Sequence, residues 1–146
     1  LNDIEKIHIK AARYIKRIKN KVPDNKVLSI ANWHSISHYY KRRLACSVFK
    51  IYHGSCSPSL EKLIHKTDSK QSTRNAWRLE IPSNKYVDYK RSFKIRAATI
   101  WNNLPPKIKE ASTYESFKKD LKRSDVLERI NFGSIGLARD LDYVYY

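Results

Sequence analysis

The residues of this chain best equipped to do chemistry are cations, and the chemistry they fit is contact with phosphate. Lys10, Arg13, Lys16 and Arg17 recur along the first predicted helix, between apolar positions. Lys41, Arg42 and Arg43 form the densest cationic run and follow Tyr39 and Tyr40, so one short segment offers both phosphate contact and an aromatic face. Lys90, Arg91, Lys94 and Arg96 flank Phe93 at a predicted loop-to-helix junction, where backbone N–H groups and cations together favour an anion. The plain alternative for each group is a solvated outer face. At 41–43 cations near a helix start oppose the helix dipole, which a bound polyanion would offset. A nuclear-localisation reading of the same run is short of the usual length.

Other chemistries fit poorly. His34 and His38 stand four apart, and His53 precedes Cys56 with two residues between them, near Cys46. Zinc accepts such nitrogen and sulfur ligands, but no Cys-x-x-Cys pair is present, and Cys46 inside a predicted helix reads as a small buried apolar residue. No metal site is therefore expected. There is no G-x-S-x-G elbow, and glycines only at Gly54, Gly133 and Gly136 leave no phosphate-cradling loop. The expectation is no catalytic residue and no cofactor in this chain.

These side chains need elements to hold them. Ile4, Ile7, Ala11, Ile15 and Ile18 recur at steps of three and four, which predicts an amphipathic helix over 3–19 with a basic opposite face. Pro23 stops it, and Asp24 is placed to cap a short helix over 25–32. The longest helix is expected over 37–53, with Tyr40, Leu44, Val48 and Ile51 as its apolar stripe and Gly54 just past its end. Ser57-Pro58 opens a one- to two-turn helix ending near Ile64. A polar stretch over 67–75 reads as a loop.

After it the period changes. Trp77, Leu79 and Ile81 alternate with Arg78 and Glu80, residues 82–85 carry turn chemistry, and 86–89 supply a returning strand. A helix over 92–102 is ended by Pro105-Pro106, and Ser112 with Glu115 matches a capping box for a last helix over 113–127. The fold expected is mainly α: a small helical domain with one β-hairpin over residues 1–130, then a weakly structured tail over 131–146. Of the tryptophans, Trp101 between Ile100 and Leu104 reads as core, and Trp33 and Trp77 more as core than as base-stacking platforms.

Composition agrees with a basic globular chain. Its 146 residues fit one domain, and a hydrophobic content of 41% supports a modest core. With 30 Lys and Arg against 14 Asp and Glu, the formal charge is +16. Such a field selects polyanions, nucleic acid first and anionic membrane surfaces second. No run approaches the roughly 18 apolar residues of a membrane span, so no membrane partner is expected. Two cysteines are too few for a disulfide framework, which points to the nucleus or cytoplasm, and Leu1 in place of Met reads as a fragment or a processed chain.

Two blocks are more specific than composition. Residues 33–60 read WHSISHYYKRRLACSVFKIYHGSCSPSL, and residues 91–122 contain RSFKIRAATIWNNLPPKIKEASTYESFKKDLK. With IEKIHIKAAR at 4–13 they resemble, in order, the region after the polymerase palm in jockey-like non-LTR retrotransposon reverse transcriptases. The runs at 100–105 and 112–118 are the sharpest parts, and the likeness covers about 4–122. Such RNA-directed DNA polymerases hold two metal ions on paired palm aspartates. This chain has no Tyr-x-Asp-Asp, and Asp140-Leu141-Asp142-Tyr143, its nearest acidic pair, sits in the tail. The resemblance thus implies a thumb-side segment that grips RNA or DNA backbone, with the upstream palm of the same polypeptide as its partner. The rival readings are a structural packing module and a remnant of a decayed element.

Overall fold

The computed structural model describes residues 2–66, 77–81 and 92–130. Among them are eight helices: α1 (Asn2–Lys16), α2 (Asp24–Ala31), α3 (Ile36–Tyr52), α4 (Pro58–Glu61), α5 (Phe93–Asn103), α6 (Pro106–Lys109), α7 (Tyr114–Arg123) and α8 (Val126–Arg129). The chain is mainly helical, as expected. It divides into two compact units, Leu1–Arg43 and Leu44–Tyr146.

In the first unit α2 packs on α1. Ala12, Val27 and Ala31 are buried there, flanked by Ile9, Ile18, Val22, Leu28 and Trp33. Alanines at 12 and 31 let the two backbones approach closely, and the larger side chains close the rim. α1 stops three residues short of the expected end because Arg17 turns left-handed at φ 51°. Ile18 N–H then donates to Arg13 O at 2.9 Å and Arg17 N–H to Tyr14 O at 3.3 Å, a Schellman closure. α2 ends the same way, with Asn32 at φ 56° and Trp33 N–H donating to Leu28 O at 2.8 Å. Asp24 is not the cap of α2 but its first residue; Pro23 holds the N-cap position in extended conformation.

The covered face of α1 differs from the one that periodicity selects. Ile9 and Ala12 face α2, while Ile4, Ile7 and Ile15 are 55%, 66% and 61% exposed. α1 carries apolar residues on two faces. Spacing identifies each face but not which one a short neighbour such as α2 covers.

In the second unit the core is built on Leu44, Ala45, Val48, Phe49 and Ile51 of α3, Ala97, Ala98, Ile100 and Trp101 of α5, and Phe117 and Leu121 of α7. Phe49 stacks on Phe117 with ring centroids 4.4 Å apart, and Tyr52 stacks on Trp101 at 5.1 Å. Trp101 is fully buried, as its spacing with Ile100 and Leu104 predicts. Gly54 ends α3 at φ 67°, where a side chain would be strained, and Ser55 N–H donates to Lys50 O at 2.8 Å.

Three features differ from expectation. No strand, and hence no β-hairpin, is found among the described residues: Leu79 makes a single antiparallel bridge with Lys66 instead. The expected turn and returning strand, 82–89, lie outside the described residues, as does the tail over 131–146. The last helix is capped by Thr113, not Ser112: its Oγ1 accepts from Ser116 N–H at 3.1 Å, while Glu115 pairs with Lys118. That helix ends at Arg123, because Ser124 is extended at ψ 134°, and α8 follows separately. Pro106, expected only to end α5, also opens α6 as its first residue, where a missing N–H does no harm.

Candidate nucleic-acid interface

The C-terminal end of α1 and the turn after it enclose an open groove of about 720 Å³, lined by Lys10, Arg13, Tyr14, Ile15, Arg17 and Asn20 among others. Three of the four cations expected on the first helix thus meet at one place, and Lys16 is exposed outside the lining. The left-handed turn at Arg17 creates the arrangement. It turns the chain after Lys16, and Arg17 and Asn20 line the groove together with Lys10 and Tyr14.

Arg13 does a different task from its neighbours. Its guanidinium donates to Lys19 O at 3.0 Å, to Val22 O at 2.6 Å and to Asp24 Oδ1 at 2.6 Å. It therefore fixes the turn that shapes the groove, and Asp24 balances its charge. Lys10 and Arg17 have no side-chain polar partner among the described residues, so their charges face solvent. Tyr14, which sequence reasoning did not single out, is 87% exposed between them. The available signal was Tyr14 four residues after Lys10 and three before Arg17.

Charge in this unit is one-sided. Residues 1–43 hold eleven Lys and Arg against three acids, Asp3, Glu5 and Asp24. Each acid is already engaged: Asp3 with Lys6 at 3.4 Å, Glu5 with Ile36 N–H at 2.9 Å, and Asp24 with Arg13. Eleven cations less three acids leave this unit with a formal charge of about +8 to attract an incoming phosphate.

The other expected contacts are distributed differently. Lys41 and Arg42 on α3 are half-buried and Arg43 is exposed; Tyr39 and Tyr40 beside them are partly exposed. Lys94 and Arg96 belong to the second unit and are half-buried on the first turns of α5. Lys90 and Arg91 lie outside the described residues. Lys109 is a cation withdrawn from any interface: it is buried, its Nζ donates to Asn102 O at 3.4 Å, and desolvation followed by the nearby charge of Arg78 pulls its pKa below the usual lysine range.

The residues weighed for zinc are placed in several different surroundings. Cys46 and Cys56 rest against the core of the second unit. The His34 and His38 rings stack 4.0 Å apart, with Tyr39 edge-on to both, while His8 stacks on Trp33. His53, though exposed overall, lies against Phe49 at 4.2 Å and Trp77 at 6.2 Å; that partial desolvation, with Lys66 nearby, lowers its pKa. Trp77 accepts a bond at its carbonyl from Trp101 Nε1 at 2.6 Å. The tryptophans serve packing rather than an exposed stacking surface.

No helix among the described residues is long and apolar enough to cross a membrane. No family model matches this chain, nor does any curated protein or any solved structure.

Proposed function

We propose that this chain grips the backbone of RNA or DNA as the C-terminal, thumb-side segment of a non-LTR retrotransposon RNA-directed DNA polymerase, working in the nucleus or cytoplasm with an upstream palm that performs synthesis. The observation that carries the binding role is the unbalanced charge of residues 1–43, in which every acid has an internal partner while Lys10 and Arg17 face solvent across an open groove. The order of the motifs at 4–13, 33–60 and 91–122 supports the polymerase context. Binding of this kind rests on counterion release, so affinity falls steeply with salt and varies little with sequence.

The test is fluorescence anisotropy of the chain with a labelled RNA–DNA hybrid across a salt series. A log–log slope implying several released counterions is the expected result. A complex indifferent to salt, or no complex at low salt from a folded chain, refutes the binding role.

One feature favours a second reading, a packing module that docks on the upstream palm. Ile4, Ile7 and Ile15 form an outward apolar stripe on α1, and solvated helices seldom carry three exposed isoleucines on one face. The same salt series separates the two, because a packing module holds no phosphates whose attraction salt could screen.

A further inference from the structure

We infer that the groove at the end of α1 is a subsite for an unpaired nucleotide: Tyr14 stacks on the base while Lys10 and Arg17 hold the flanking phosphates. This rests on the nucleic-acid reading above and narrows its substrate to a single strand at this site. Tyr14 is 87% exposed, although a tyrosine ring is apolar enough to be covered wherever the fold provides a neighbour. Nothing among the described residues covers it. On either side stand two cations without side-chain polar partners, and Arg13 braces the turn through Lys19 O, Val22 O and Asp24.

The chemistry of the lining selects the occupant. The groove is lined by Lys10, Arg17 and the Asp24-paired Arg13 and by no acid, which leaves two unbalanced cations, complementary to a polyanion and opposed to a second copy of this +16 chain. A duplex offers this surface only its phosphate rails, because its base faces are stacked inside. A single strand offers phosphates at its backbone and free base faces, and so engages Tyr14 as well as the cations. The volume of about 720 Å³ lies within the range of clefts that take small ligands, fit for a nucleotide unit rather than a helix of nucleic acid. Stacking on a ring is tolerant of base identity, so little sequence preference follows.

The experiment compares binding of the full chain to a labelled single-stranded oligonucleotide and to the duplex of the same sequence, for wild type, Tyr14→Ala and Tyr14→Phe. Tyr14→Ala weakens single-strand binding roughly 5- to 150-fold, the span measured for one stacked base, and leaves duplex binding within about twofold. Tyr14→Phe, which keeps the ring, restores single-strand affinity. Because the side chain is exposed, neither variant disturbs the fold. If wild type binds both nucleic acids and Tyr14→Ala alters neither, or weakens both equally, the subsite is refuted and the backbone-gripping role survives. If wild type binds neither, both fall. If an acidic amphipathic peptide occupies the groove and nucleic acid does not displace it, the surface belongs to a protein partner and the subsite is likewise refuted.

Discussion

Asn102 clasps Leu79 with both ends of its amide: Oδ1 accepts from Leu79 N–H and Nδ2 donates to Leu79 O, each at 2.8 Å. The side chain thereby supplies the pairing that a neighbouring strand would give, and Trp101 adds a bond from Nε1 to Trp77 O at 2.6 Å. Two adjacent residues of α5 thus hold the segment 77–81 against the core, where Leu79 is fully buried. Removing the amide leaves a buried N–H and C=O without partners. Asn102→Ala should destabilise the chain by about 2–6 kcal/mol, the sum of about 1–3 kcal/mol for each of two such groups. Urea unfolding measures it. A loss under about 0.5 kcal/mol would show that the clasp is not needed.

Arg17 gives a second prediction, because its backbone and its charge can be separated. At φ 51° an L side chain is strained by about 1–2 kcal/mol. Arg17→Gly should raise stability by about 1 kcal/mol, after allowing for the greater freedom of glycine in the unfolded chain. Arg17→Ala keeps the strain and should not. Both remove the cation, so both should weaken nucleic-acid binding to the same degree. Thermal unfolding alongside anisotropy reads both; equal stability of the two variants would contradict the strain at this turn.

What the sequence made legible follows from which interactions are local. Gly54 past α3 and the burial of Trp101 depend on a few neighbouring residues, and both expectations hold, whereas Pro23, expected to stop α1, instead holds the N-cap position of α2 while Arg17 ends α1. The clasp of Leu79 was not legible, because an asparagine at helical spacing gives no sign of a partner 23 positions away. Alternation at 77–81 reads as a hairpin strand only if a strand returns to it; among the described residues it is Asn102 and Lys66 that pair with Leu79. The covered face of α1 is hidden for a related reason. Its isoleucines define a stripe, yet α2 covers Ile9 and Ala12. At the candidate interface the charge was visible throughout, whereas the engagement of Arg13 and the exposure of Tyr14 depend on a turn that Arg17, an improbable left-handed residue, closes.

His53 links stability to pH. Partial desolvation against its aromatic neighbours, with a smaller contribution from Lys66, lowers its pKa below the usual 6.5 in the folded state. The unfolded chain then binds the proton more readily. Stability should be full above about 6.5 and should fall as pH drops from there towards the lower folded value. His53→Gln should remove this part of the pH dependence, measured as the difference between the two unfolding midpoints from pH 7.5 down to 5. A constant difference across that range would assign the acid sensitivity elsewhere.

The orientation of α1 predicts an unequal response to substitution on its two faces. Ile7 is 66% exposed, so Ile7→Lys should change stability by no more than about 0.5 kcal/mol. Ala12 is fully buried against α2, and Ala12→Leu should overpack that contact at a cost of about 1–3 kcal/mol. The reverse order in chemical unfolding would restore the face that periodicity alone selects.

Reversing Lys41, Arg42 and Arg43 to Glu tests the binding role against the packing role on a different element. These three cations sit beyond the first turn of α3, which starts at Ile36, so changing them leaves the helix start itself intact. If they touch phosphates, affinity for an RNA–DNA hybrid should fall. The slope of log affinity against log salt should also become shallower, by about 0.9 for each duplex phosphate that is no longer neutralised. If the chain only packs on an upstream palm, whatever nucleic-acid affinity it has should be unchanged in both value and slope. Circular dichroism of the reversed variant guards the comparison, since Lys41 and Arg43 also interact within the fold. A folded variant with unaltered slope would move the grip away from α3 and leave the groove at Lys10 and Arg17 to carry it.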